Sequence, residues 1–180
     1  MNVSRYQLRP ARPTDLIAVV ALEQATQYAP HWSPAVYAAI LAGQDEQDDR
    51  RTETSQRRLI VAEQAEGDRV SLKGFAVGQI YPAPGQPSAA MASQSTEHLA
   101  EIESVVVAAN FRRAGIGRAL CREVIEWCRT RGATAVVLEV RASSLGAIAL
   151  YAKLGFVATG RRPHYYRDPK DDALNMRLAL

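Results

Sequence analysis

The densest chemical signal in this chain is a short basic stretch containing glycine. Val105–Gly117 reads VVVAANFRRAGIG: a β-branched run, a turn, and the start of an amphipathic helix. Arg112, Gly115 and Gly117 make R-x-x-G-x-G at that helix start. Glycines let the backbone bend tightly and let a ligand approach without a Cβ in the way. The first N–H groups of a helix lack internal partners and lie at the positive end of its dipole. Such a place holds an anion, and a pyrophosphate suits it. Arg112, Arg113 and Arg118 add positive charge. Two other phosphate loops are excluded. A Walker A loop ends in Gly-Lys-Ser/Thr, which is absent, and a dinucleotide fingerprint counted from Gly115 needs glycine or alanine where Leu120 stands.

Titratable groups surround this stretch in the sequence. Glu139 interrupts the apolar run AVVLEV (135–140), read as a strand buried on both faces. Burial there would raise its pKa toward a range useful for accepting a proton. The alternative is a strand-end carboxylate paired with Arg141 or another cation. Glu101 and Glu103 alternate with Ile102 and share one face of the preceding strand. Tyr151 falls on the helix after Glu139, on the face of Ile148 and Leu154, as a half-buried aromatic would. Tyr165 and Tyr166, in a proline-bounded loop, read equally as packing residues or as walls of a slot. Cys121 and Cys128 share a helix face and read as core. A helix holds such a pair about 10 Å apart along its axis, too far for a disulfide.

The elements that must position these groups follow from pattern and composition. The chain has 180 residues and 47% hydrophobic content, enough for one domain with a real core. Two cysteines exclude a disulfide scaffold, and the widely spaced His31, His98 and His164 offer no structural zinc site. No apolar run approaches the roughly 20 residues of a membrane span, and the polar N-terminus leads us to expect a cytoplasmic protein. A net charge of +3 permits an anionic ligand without calling for nucleic acid. Strands are expected at 5–9, 59–62, 72–81, 99–107, 135–140, 156–166 and 173–180. Helices are expected from Thr14 to about Tyr28, from a Ser33 cap through Leu41, from Ile116 to Gly132, and from a Ser143 or Ser144 cap through Leu154. The polar run 44–58 reads as a solvated loop, and 82–98, rich in Pro, Ser, Ala and Gly, as a flexible insertion in a single domain spanning 1–180.

Together with R-x-x-G-x-G, the segments LEVRASSLGAIALYAKLGF (138–156) and GRRPHYYRDPKDDALNM (160–176) carry a resemblance. The chain resembles the GNAT N-acetyltransferase superfamily, and within it the RimI branch of ribosomal-protein alanine N-acetyltransferases. The likeness runs from about residue 5 to the end and is strongest over 105–176. It implies an α/β fold with a mixed, mostly antiparallel sheet and helices on both faces. It implies acetyl-CoA as cosubstrate, no metal, and a protein N-terminal α-amine as acceptor, a ribosomal-protein alanine first among them. Val105, Val106 and Val107 match the strand whose backbone holds the acetyl and pantetheine portion. Arg112, Arg113, Ala114, Gly115, Ile116, Gly117 and Arg118 match the pyrophosphate loop. Ser144 stands where the branch has an asparagine that contacts CoA. The resemblance makes Glu139 the general base, with Glu103 its rival, and Tyr151 the general acid. Tyr165 and Tyr166 fall where the peptide slot would be. With no cysteine in a nucleophile setting, direct transfer in a ternary complex is expected, from a monomer or weak dimer. A small-amine acetyltransferase and a non-catalytic acetyl-CoA-binding module remain as alternatives.

Overall fold

The computed structural model describes residues 6–44, 55–67, 69–82 and 97–180. In chain order they form β1 (Gln7–Pro10), a 3-10 turn at Pro13–Asp15, α1 (Leu16–Gln24), α2 (Pro34–Gln44), β2 (Gln56–Glu66), β3 (Arg69–Ile80) and β4 (Leu99–Val107). A second 3-10 turn at Ala109–Phe111 leads to α3 (Ile116–Thr130), β5 (Ala135–Arg141), α4 (Leu145–Lys153), β6 (Val157–Arg167) and β7 (Lys170–Ala179). The strands make one sheet ordered β1-β2-β3-β4-β5-β7-β6. Among the described strands, β4 and β5 alone run parallel. Helices α1 and α2 cover one face and α3 and α4 the other, each over its own core. The element order and the mixed, mostly antiparallel sheet with helices on both faces agree with the sequence reading.

Helix α3 shows pattern becoming packing. Its stripe Ile116, Leu120, Cys121, Val124, Ile125 and Cys128 is entirely buried. Beneath it lies β3, where a Cβ on Gly74 would stand 3.2 Å from Leu120 Cδ1 and 3.3 Å from Ile116 Cγ2, and one on Gly78 2.4 Å from Val124 Cγ1. Glycine at these two positions is what lets the helix approach the strand. On the other face Val19, Tyr37, Ile40 and Leu41 pack over Leu59, Val61, Phe75 and Val77. Both cysteines are free and buried, as expected of core residues.

Several local expectations change. Helix α1 stops at Gln24, and residues 25–33 form a connecting segment instead of a final turn. Thr14 is not the cap. The Asp15 carboxylate instead accepts the Arg12 backbone N–H at 2.7 Å. Strand β2 starts at Gln56, because its ladder with β3 continues past the apolar run to Gln56 opposite Ile80. Strand β5 is not buried on both faces: Val137, Glu139 and Arg141 are half-exposed, since α1 and α2 pack on β2, β3 and β4 and stop short of β5. Neither Ser143 nor Ser144 caps α4 with its side chain; Ser143 Oγ donates to Asp171 at 2.6 Å instead. Most of the 82–98 insertion, and residues 45–54 of the polar run, lie outside the described residues.

Asp15 also grips Arg9, at 2.7 and 3.0 Å, and Arg9 reaches Glu63 on β2. The Arg9 and Asp15 side chains are 14% and 12% exposed, so solvent screens the pair little. The Arg9 guanidinium holds the Asp15 carboxyl below its ordinary value. A carboxyl depressed on folding stabilises fully above its unfolded pKa, about 3.9, and loses that contribution as pH falls through the folded value. Asp15→Asn is therefore expected to lower stability by about 2 kcal/mol at neutral pH in urea unfolding. The gap to wild type should narrow as pH falls below the ordinary carboxyl value, about 3.9.

Candidate active site

The sheet is split at its centre. Strands β4 and β5 pair only through Leu99–Glu101 and Ala135–Val137. Beyond that point β4 stays with β3 through Val107, and β5 stays with β7 through Arg141. The facing edges, 102–107 and 138–141, have no ladder partner among the described residues. A bulge on β4 helps to open them. Val77 lies opposite Ser104 and Gly78 opposite Ile102, so Glu103 is an extra residue that bends the strand. An extended ligand can meet, as an added strand would, those backbone groups of Val105–Val107 that β4 turns away from β3.

The anion loop stands just beyond β4. Arg113 (φ 65°) and Gly115 (φ 85°) both adopt the left-handed conformation. Such turns collect successive N–H groups into an anion-binding concavity, here at the N-terminus of α3. Residues 112–115 and Arg118 are exposed. Arg112 donates from Nε to the Val107 carbonyl at 3.2 Å, and the Arg113 guanidinium reaches over Gly146 in the first turn of α4. None of Arg112, Arg113 and Arg118 has a carboxylate partner among the described residues. The Ser144 hydroxyl, at the start of α4, makes no cap bond. A loop of open N–H groups with three unneutralised cations fits a pyrophosphate.

Glu139 sits on β5 on the far side of the split. Its side chain is 28% exposed, and its Oε1 accepts from Arg162 Nη1 at 2.7 Å. The expected full burial is not found, because neither α1 nor α2 covers the Glu139 face of β5. The partner cation is Arg162 and not Arg141. Across the split, Glu103 commits both oxygens to Arg57, at 2.8 and 2.7 Å. Burial raises the Glu103 carboxyl above its ordinary value, against the pull of Arg57. Its neighbour Glu101 accepts from the Tyr81 phenol.

Tyr151 is the buried side chain of α4, with its ring edge-on to Phe156 at 5.8 Å. Burial pushes its phenol far above the ordinary value, so it keeps its proton at neutral pH. Tyr166 bears on both candidate groups. Its own phenol is raised by burial and then by the Glu139 charge, and it in turn raises Tyr151.

Tyr165 and Tyr166 lie on β6 and not in a free loop. Arg162 is opposite Ala173 and Tyr166 opposite Asp171, so Pro163, His164 and Tyr165 bulge against Asp172 alone. Asp172 ties the bulge by accepting from the His164 N–H and from Arg161 Nε, both at 2.7 Å. Asp171 accepts from the Ser143 N–H and Oγ, joining the hairpin to the start of α4. The bulge leaves Tyr165 43% exposed. Its ring is edge-on to Tyr166 at 5.1 Å, with the Arg162 guanidinium 4.2 Å above it, and the Glu139 charge raises its phenol. Arg162 and Arg57 escaped the sequence reading. Arg162 was visible only as the arginine before the tyrosine pair, and nothing local marked Arg57.

A split α/β sheet, with an anion loop at one strand end and a carboxylate and phenols around the opening, has the form of a domain that could take a long phosphorylated ligand at its centre. Comparison with known proteins gives the family. The chain belongs to the Acetyltransferase (GNAT) family, whose model matches residues 18–156. It is 40% identical over 83 residues to the [Ribosomal protein bS18]-alanine N-acetyltransferase of Escherichia coli strain K12, covering 45% of this chain and 56% of that one. It is 39% identical over 77 residues to the N-alpha-acetyltransferase RimI of Mycobacterium tuberculosis, covering 43% and 47%. The chain thus spans about half the length of the curated relatives it matches. The crystal structure of the Escherichia coli ribosomal-protein-S18-alanine N-acetyltransferase superposes with a TM-score of 0.68 at 27% identity, covering 97% of this chain and 94% of that one. Within the family, the resemblance to the RimI branch stands.

Proposed function

We propose that this chain transfers the acetyl group of acetyl-CoA to the α-amine of a protein N-terminus, a ribosomal-protein alanine being the first candidate. The observation that carries this reading is the split between β4 and β5, flanked by the cationic loop and by Glu139. Residues 112–118 and Ser144 would hold the pyrophosphate end, and the backbone of Val105–Val107 the pantetheine and acetyl end. Tyr165 and Tyr166 would wall the acceptor's path.

The chemistry then follows from the residues present. An α-amine is mostly protonated below about pH 8 and must lose a proton before it attacks a thioester. Glu139 takes that proton, directly or through a water. The amine nitrogen bonds to the thioester carbon, and a backbone N–H of Val105–Val107 donates to the oxyanion that forms. As the C–S bond breaks, the Tyr151 phenol gives its proton to the departing sulfur and takes back the second proton that the acetylated nitrogen sheds, directly or through a water. The products are the N-acetylated chain and the free thiol.

Direct transfer agrees with the cysteines. Burial pushes both thiols up to about 12, so neither supplies a thiolate at neutral pH. Cys121→Ala and Cys128→Ala are each expected to keep kcat within about threefold of wild type, with intersecting initial-velocity patterns. Parallel lines would contradict a ternary complex.

The function is tested by offering acetyl-CoA with peptides that differ in their first residue, and with small amines. Turnover of alanine-initiated peptides is expected. Turnover of small amines alone would replace the N-terminal acceptor with a small one. Binding of acetyl-CoA with no turnover of any acceptor would make the domain a binding module.

A further inference from the structure

Arg141 ends β5 two residues beyond Glu139, and its side chain takes no part in the chemistry above. It nevertheless joins three separate segments. Its guanidinium lies 4.0 Å from the ring centre of Tyr166 on β6 and 5.0 Å from that of Tyr28, in the segment between α1 and α2. Nη1 donates to the Pro169 carbonyl at 3.0 Å and Nη2 to the Asp168 carbonyl at 3.1 Å, both in the turn between β6 and β7. Tyr28 is 53% exposed and belongs to a connecting segment with no sheet partner of its own.

We propose that Arg141 is a positioning residue that straps the α1–α2 segment to the β6–β7 hairpin, and so sets the width of the acceptor slot beside Glu139. The proposal rests on the reading of Tyr165 and Tyr166 as walls of that slot. The guanidinium suits the task because it is planar. Its faces stack on rings while its edge donates to carbonyls, and both kinds of contact form together. A lysine ammonium is a point charge. It cannot face two rings and hold two carbonyls in a fixed fork. The strap also explains why an arginine stands at the mouth of the site without an ion pair to Glu139. Its donors are already committed to Asp168 and Pro169, so Glu139 is left to Arg162.

The test compares Arg141→Ala, Arg141→Lys and Tyr28→Leu with wild type. In Arg141→Ala the KM for the acceptor is expected to rise about tenfold, the worth of roughly one well-formed cation–π contact. The KM for acetyl-CoA should stay within about twofold, since the anion loop is elsewhere. Arg141→Lys should not restore the acceptor KM. Tyr28→Leu should raise it, and should add little when combined with Arg141→Ala, because both remove the same strap. Hydrogen exchange should quicken over residues 25–33 and 165–170 in Arg141→Ala while α3 keeps its protection. Recovery by lysine, a parallel rise in both KM values, or unchanged exchange in those two segments would overturn the proposal.

The same ratios are measured with whichever acceptor the wild type uses. If that proves to be a small amine, the N-terminal function fails while the strap is still judged by acceptor KM and by exchange. If peptides turn over normally in all variants, the strap fails and the function stands.

Discussion

Glu139→Gln is expected to lower kcat by about 10²–10⁴ while leaving acetyl-CoA affinity within about twofold of wild type. Glutamine keeps the shape of the side chain, and its amide oxygen can still accept from Arg162 Nη1, as the Glu139 carboxylate does at 2.7 Å. What it loses is basicity. The loss therefore falls on the step that removes the proton from the acceptor amine and not on the seating of either substrate. The deficit should shrink above about pH 8, where the α-amine sheds its proton unaided. Stopped assays across pH 6–9, beside calorimetry with CoA, read both parts. Glu103→Gln is the comparison. Both Glu103 oxygens are committed to Arg57, so its replacement should loosen β4 against β2 and cost turnover far less. A collapse of kcat in Glu103→Gln with near-normal Glu139→Gln would exchange the two roles. Tyr151→Phe should cost about tenfold or more, less than the base, because a thiolate with a pKa near 8.5 leaves with little help.

The second large effect is expected at Gly115. Its φ of 85° is left-handed, and a Cβ there would meet nothing nearer than the Tyr6 hydroxyl at 4.0 Å. Gly115→Ala thus introduces backbone strain of about 1–2 kcal/mol without a clash. The chain can relieve that strain only by turning the loop, which moves the N–H groups meant for the pyrophosphate. Acetyl-CoA affinity should fall about 10- to 100-fold, with kcat at saturation largely retained. Gly67 supplies the control. It has a φ of 62°, open space around it, and a place in the β2–β3 turn, beyond the β3 residues that pair with β4. Gly67→Ala should lower the unfolding temperature about as much as Gly115→Ala and leave CoA affinity unchanged. Equal CoA affinity in both variants would remove the loop from the donor site.

Much of this molecule was legible residue by residue. The α3 stripe repeats at helical spacing, and every member of it is buried. The R-x-x-G-x-G run folds as an exposed loop at a helix start, and the cysteines are core. The alternation of Glu101, Ile102 and Glu103 also reads correctly. Such features depend on a residue and its near neighbours along the chain, where periodicity and backbone preference act.

Other features had no local cause. Glu139 meets Arg162 because the strand order β5-β7-β6 lets a long side chain reach across β7. Glu103 meets Arg57 because β2 and β4 flank β3 in one register. The apolar run around Glu139 promised burial on both faces, and the reach of α1 and α2 left one face half open. The split itself arises where β4 keeps its partner in β3 and β5 keeps its own in β7. By itself, then, the sequence determined the elements, their order and the loop that can hold an anion. The tertiary structure alone decided which cation faces which carboxylate, how far the central strands part, and that Arg141 lies between Tyr28 and Tyr166. Ion pairs and strand edges belong to register and strand order, and these are settled only when segments far apart in the chain compete for the same neighbours.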